Sequence, residues 1–269
     1  KKSLSGSKFR IEKMTKLSAV IITFNEERNI GRCLASLEGV ADEIVVVDSL
    51  SSDNTREICE SFEVKFFTEK WQGYSGQKNL ANSLTVNDWV LSVDADEAVS
   101  EELKLSILKW KSSEKPGFAR FNRLTNYGGQ WIRHCGWYPD TKLRIFNKEQ
   151  AYWKGDVHEE LKFDNSTKVE FLKGDLLHYS YYSVDEHVAQ TNKFSTLAAQ
   201  ELVKKGKKIS LFKIIVSPAA KFLRKYFLNL GFLDGYYGYF ICRMAALQTF
   251  LKYFKARQMQ LQQKQTSRS

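Results

Sequence analysis

Several residue patterns are scarce in this chain, and each scarcity excludes something. Three prolines in 269 residues leave no room for long disordered linkers. The four cysteines, Cys33, Cys59, Cys135 and Cys242, are scattered and form no C-x-x-C pair. That spacing argues against a disulfide framework or a zinc site and predicts reduced thiols in a cytoplasmic protein. A spanning helix is lacking as well. In the C-terminal segment the longest stretch free of Lys and Arg, Tyr226 to Cys242, is short and carries Asn229, Asp234 and several glycines. Residues ahead of Leu17 are basic and polar, unlike a secretory leader. Residues 1–16 are expected to be an N-terminal extension, with Met14 as the natural start and the residues before it foreign to the protein.

Acid is what the C-terminal part lacks. From Val203 to Arg257 there are 12 basic residues and one acidic residue, Asp234, whereas Leu17 to Leu202 holds 21 basic and 29 acidic residues. The net charge of +10 therefore belongs to one end of the chain. Two jobs are implied, one done by an acidic region and one by a basic region.

The acidic region alternates short apolar runs with helical patterns. Leu17 to Phe24, Glu43 to Asp48, Val64 to Phe67 and Trp89 to Val93 read as strands. Asn25-Glu26-Glu27 is expected to open a helix, with others over Thr55 to Phe62, Gln77 to Leu84 and Glu101 to Trp110. Continuous apolar strands alternating with helices predict a parallel α/β sheet covered on both faces. Further strands are expected at Gly117 to Arg123, Thr141 to Asn147 and Lys168 to Leu172, then a helix from Asp185 to Lys204. Two amphipathic helices follow, about Ser210 to Leu228 and Tyr237 to Gln258, before a Gln-rich end.

Asp94-Ala95-Asp96-Glu97 ends the fourth strand. Residues i and i+2 of a strand share a face, so Asp94 and Asp96 could point the same way. Two carboxylates so placed suit Mg²⁺ or Mn²⁺ carrying a diphosphate, since these hard cations take carboxylate, phosphate and water oxygens. Ligands of such sheets bind outside the carboxyl ends of the strands. Phe24-Asn25, Asp48-Ser49 and Asp94-Ala95-Asp96 all lie at those ends. Asp48 and the turn Ser51 to Thr55 can bind a uracil or ribose edge, and Lys78-Asn79 can contact ribose or phosphate.

Four motifs follow in order: Thr23-Phe24-Asn25-Glu26-Glu27, Asp48-Ser49-x-Ser51-x-Asp53-x-Thr55, Gly76-Gln77-Lys78-Asn79 and Asp94-Ala95-Asp96-Glu97. In that order they resemble the inverting family 2 glycosyltransferases, whose nucleotide-sugar fold is called GT-A. Trp137-Tyr138-Pro139-Asp140, Leu143-Arg144-Ile145-Phe146, Val157-His158-Glu159 and the basic end are similar to the branch of bacterial lipopolysaccharide-core β-glucosyltransferases. The resemblance implies a GT-A mixed sheet flanked by helices over residues 17–202, a basic amphipathic membrane-association segment over 203–258, and a flexible tail over 259–269. It implies a UDP-sugar donor, glucose as the sugar, and a lipid-linked oligosaccharide acceptor such as the lipopolysaccharide inner core.

By the same resemblance, Thr23, Asn25, Glu26, Asp48, Ser51, Asp53, Lys78, Asn79 and Asp94 would contact the donor nucleotide. Asp94 and Asp96 would hold the cation. Asp96 and Glu159 would carry the catalysis, Glu159 as the base, with Asp156 and Glu160 as alternatives. Arg144, His158, His178 and Trp137 would meet the diphosphate or the acceptor. Twelve cations beside apolar stripes predict an enzyme peripheral on an anionic membrane, at the cytoplasmic face of the inner membrane. A polyprenyl-phosphate sugar transferase shares the donor motifs. A basic nucleic-acid-binding protein is the rival from outside enzymes, disfavoured by the acidic region and the lack of a nucleic-acid motif; no nucleic-acid partner is expected.

Overall fold

The computed structural model describes residues 14–155 and 159–266. One compact unit holds residues up to Asn122 together with Thr141–Leu177; a second holds Arg123–Asp140 and the chain from His178 onward.

The first half of the chain winds as β1 (Leu17–Thr23), α1 (Ile30–Leu37), β2 (Glu43–Asp48), α2 (Thr55–Glu60), β3 (Lys65–Thr68), α3 (Tyr74–Ser83), β4 (Trp89–Asp94), β5 (Glu97–Val99) and α4 (Glu101–Lys111). Then come β6 (Phe118–Tyr127), β7 (Gln130–Ile132), β8 (Asp140–Asn147), β9 (Ala151–Lys154), β10 (Glu160–Phe163) and β11 (Val169–Tyr181). Strand order in the main sheet is β3-β2-β1-β4-β8-β6-β11-β5, with β7 paired to β6 and with β9 and β10 forming a ribbon of their own. The strands β1 to β4 are mutually parallel where they pair, and β8 joins β4 antiparallel. The sheet is therefore mixed, as expected.

Alternation along β1 sorts its side chains between two cores. Leu17, Ala19 and Ile21 pack with Ile30, Leu34 and Leu37 of α1 and with Leu103 and Ile107 of α4. Val20 packs on the other face with Ala81 of α3, Phe146 and Trp153. A period of two in a strand covered on both faces produces this division.

One sequence expectation is corrected here. The first helix starts at Ile30, not at Asn25. Asn25 adopts φ 54°, a left-handed conformation that Asn tolerates, and the chain turns before the helix begins. The short strands β5, β7, β9 and β10 carry too few residues to show a period in sequence.

In the second unit, α5 (Val184–Lys204) starts with a capping box in which Ser183 accepts from the Glu186 N–H. It is followed by α6 (Leu211–Leu223), a π-helical turn over Arg224–Leu228, a 3₁₀ turn over Gly231–Asp234, and α7 (Gly235–Thr266). Ala199, Ile209, Ile214 and Ala256 join these helices in one core. The helix α7 continues into the Gln-rich stretch that was expected to be a flexible tail. Arg257 Nη1 donates to the Ile209 carbonyl at 2.8 Å and Gln260 Nε2 to that of Lys207 at 2.7 Å, tying this end down. Asp234, the sole acid of the basic segment, accepts from the backbone N–H groups of Arg133 (3.2 Å) and His134 (2.8 Å). No helix among the described residues is long and apolar enough to cross a membrane.

Candidate active site

The first unit brings its polar clusters to one rim through strand register. Thr23 pairs with Asp48 across β1 and β2, and Ile22 pairs with Asp94 across β1 and β4. Three strand ends thus finish within one residue of each other, at the carboxyl edge where α/β sheets bind ligands.

Two of the motif loops brace each other. Asp48 is buried; its carboxylate accepts from the Ser51 N–H at 2.9 Å and the Ser51 hydroxyl at 2.5 Å. The Asn25 N–H donates to Ser51 Oγ at 2.8 Å, and Asn25 Oδ1 accepts from the Ser52 N–H at 2.8 Å. Asp53 accepts from the Glu27 N–H at 3.1 Å and the Thr55 hydroxyl at 2.6 Å. Asn25, Ser51 and Asp53 therefore spend polar atoms on holding the loop after β1 to the loop after β2. Thr23 lies buried at the end of β1, beside this brace.

A chain of alternating charges, buried at Lys78, Glu97 and Arg144, sits at the end of β4. Glu97 accepts twice from Arg144 Nη2, at 2.9 and 3.1 Å, and once from the Asp94 N–H at 2.9 Å. The same Arg144 nitrogen reaches Asp94 Oδ2 at 2.7 Å. The other Asp94 oxygen meets Lys78 Nζ at 3.1 Å, and Lys78 reaches Glu159 Oε1 at 3.0 Å. Lys78, Glu97 and Arg144 are each at most 4% exposed. Lys78 also lies over the Trp153 ring, 4.8 Å from its centroid.

Burial alone would raise the Asp94 carboxyl, but Arg144 and Lys78 hold it far below the usual carboxylate range. Burial likewise opposes the Arg144 charge, and Asp94 and Glu97 outweigh it, so the guanidinium is firmer than usual. Burial lifts Glu26, the Asn29 amide partly offsets this, and nearby Asp96 adds to the rise. Glu26 and Asp96 are thus close enough to repel, a carboxylate pair that a cation would relieve.

The predicted residues do not all converge. Lys78, Asp94, Arg144 and Glu159 converge in one cluster, with Glu26 and Asp96 acting on each other. Asn79 is held elsewhere: its amide donates to the Trp153 carbonyl and accepts from the Trp153 N–H, both at 2.8 Å. His178, 3.4 Å from the Thr125 hydroxyl, and Trp137 belong to the second unit. Glu160 is an exposed strand residue paired with Lys162 at 2.6 Å. Asp156 and His158 lie outside the described residues.

Sequence reasoning assigned no role to Glu97 or Trp153. Glu97 stood next to the carboxylate pair and could have been flagged by that position; nothing in the sequence pointed to Trp153.

A divalent cation fits this donor set in a restricted way. Among the described residues no three His, Cys, Asp or Glu side chains form a metal-holding group. Both Asp94 oxygens already face cations, so an ion bound there would compete with Lys78 and Arg144, and Asp96 offers a second carboxylate two residues on. Mg²⁺ and Mn²⁺ take few protein carboxylates when phosphates and water complete the shell.

A family model described as glycosyl transferase family 2 matches residues 18–159. The chain is 33% identical to an uncharacterized glycosyltransferase of Rickettsia typhi, over 92% of this chain and 89% of that protein. It is 34% identical to the lipopolysaccharide core biosynthesis glycosyltransferase LpsC of Rhizobium meliloti, over 87% of this chain and 89% of that protein. In structure it resembles the mannosyltransferase PcManGT of Pyrobaculum calidifontis, solved with GDP-Man and Mn²⁺. That likeness has a TM-score of 0.51 and 15% identity, covering 90% of this chain and 87% of the other.

Proposed function

The chain belongs to glycosyl transferase family 2, and from that premise we infer that it moves glucose from a UDP-sugar to a membrane-held oligosaccharide, with inversion. The observation that carries the chemistry is the relay Glu159–Lys78–Asp94–Arg144–Glu97 at the carboxyl edge of the sheet. Its carboxylates outnumber its cations, and Asp96 and Glu26 add more acid. A diphosphate entering such a site needs counter-charge. Asp96 is the residue that would hold a divalent cation, which would supply that counter-charge to the leaving diphosphate.

Inversion needs one in-line displacement. An acceptor hydroxyl oxygen bonds to the anomeric carbon as the bond from that carbon to the diphosphate oxygen breaks. Glu159 takes the hydroxyl proton, and the bonding pair leaves with UDP. Lys78 orients Glu159 and ties it to Asp94, so base and donor site share one anchor. Asp48 and Ser51, already locked together, offer the nucleoside a rigid edge.

The acceptor class rests on the relative named for lipopolysaccharide core biosynthesis and on the C-terminal surface. In α6 and the turn after it, Phe212, Ile215 and Leu228 are 73%, 71% and 79% exposed amid a basic segment. Exposed apolar side chains among cations suit the interface of an anionic bilayer, which would place the enzyme on the cytoplasmic face of the inner membrane.

Glu159→Gln tests the assignment. Turnover should fall by about a hundredfold or more while UDP-glucose affinity is retained. Unchanged turnover would remove Glu159 as the base and favour transfer to a phosphate, which needs no base.

A further inference from the structure

The second unit contains a cavity of about 480 Å³ lined wholly by its own residues, including Trp137, His178, Tyr181, Lys221 and Lys225. That volume is within the range of small-ligand pockets. Its lining has two chemistries. Trp137 and Tyr181 are stacked, with centroids 5.8 Å apart and planes at 26°. His187 lies 4.5 Å from Tyr181. Burial pushes His187 down to about 4, so it lines the cavity as a neutral ring at neutral pH.

The other chemistry is cationic. Lys221 and Lys225 are one helical turn apart. Asp140 is the only acid among the lining residues, and it is paired with Arg123 at 2.8 Å. The two lysines therefore meet no carboxylate there. Lys225 Nζ donates to the Cys135 carbonyl at 2.5 Å, a neutral acceptor. Burial, then Lys221, lowers its affinity for a proton, so an anion placed beside it would relieve both effects. Thr125, Ser180, Gln190 and Thr191 add hydroxyl and amide groups to the lining.

A flat apolar pair suits the C–H face of a sugar ring. Neighbouring hydroxyls and amides suit its O–H groups, and two uncompensated ammoniums suit an attached anion. We propose that this cavity binds a saccharide bearing a phosphate or a carboxylate, with the ring at Trp137 and Tyr181 and the anion at Lys221 and Lys225. Any part for this cavity in glycosyl transfer rests on that reading; its capacity for anionic saccharides rests on the cavity alone. Trp137 and His178, expected from sequence to meet the diphosphate or the acceptor, both line it.

The test is titration calorimetry on the full chain with glucose 6-phosphate, glucuronate, glucose and inorganic phosphate. At least one anionic sugar should bind about tenfold or more tighter than glucose or phosphate. Comparing the phosphate and carboxylate arms identifies the anion. Lys221→Gln should weaken that binding by about tenfold, with an unchanged melting temperature, and Lys221→Arg should restore most of it. Glucose binding as tightly as both anionic sugars would overturn the proposal, as would phosphate alone binding as tightly as glucose 6-phosphate. UDP release from UDP-glucose by the wild-type chain separates the two readings. Its absence beside intact saccharide binding sinks glycosyl transfer and spares the cavity; its presence without saccharide binding does the reverse.

Discussion

Replacing Glu97 by Gln should destabilise the first unit by about 3 kcal/mol, the lower end of the cost of breaking a buried ion pair. The figure follows from the contacts. Glu97 is 1% exposed and accepts three hydrogen bonds through its two oxygens, two from Arg144 and one from the Asp94 N–H. Gln keeps the shape but offers one acceptor atom where the carboxylate has two. Either the Asp94 N–H or one Arg144 contact must then face an NH₂ group. Leaving a buried donor unmet costs about 1–3 kcal/mol, and the lost charge adds to it. Asp94 still pairs with Arg144, which keeps the total near the lower end. Urea denaturation followed by tryptophan fluorescence reads the change, since Trp89 and Trp153 pack in the cores of this unit. Glu160→Gln is the control: it removes an exposed partner of Lys162 and should leave the curve in place. A Glu97→Gln loss under about 1 kcal/mol would refute a buried charge network at this edge.

Acid should act on the same network. Asp94 has its carboxyl held below the ordinary value of 3.8, so the stability it contributes is fully present above about pH 4 and is lost as pH falls below that. Denaturant midpoints between pH 6 and pH 3 should therefore drop less in Asp94→Asn than in wild type; equal drops would remove Asp94 as a source of acid lability. At the other end of the chain, flotation with anionic vesicles should recover the protein at low salt and lose it at high salt. Neutralising Lys213 and Arg224 should weaken that recovery, and salt-independent binding would rule out an electrostatic component.

How legible the molecule was in its sequence depended on how local each feature is. Strands β1, β2 and β4 are buried on both faces, so each appears as an unbroken apolar run ending in a polar cluster. The near-level ends of Thr23, Asp48 and Asp94 follow from parallel register and were legible for that reason. Lys78 and Glu159 are 81 positions apart, and no spacing rule announces that they touch. Asn25, Asp53 and Asn79 each spend polar atoms on a neighbouring loop or strand, contacts that motif order does not announce. The strand β11 was also hidden in part. Its apolar core signals the segment near Leu172, but it extends to Tyr181 and so delivers His178 to the second unit.

Asp234 has a consequence for handling the protein. Its carboxylate is 5% exposed and turned toward the Arg133–His134 backbone. The segment's own anion is thereby withdrawn from its surface, so mobile ions or polyanions must balance its cations. In dilute buffer the chain should cling to cation-exchange resin and to contaminating nucleic acid, and elute sharply once salt competes.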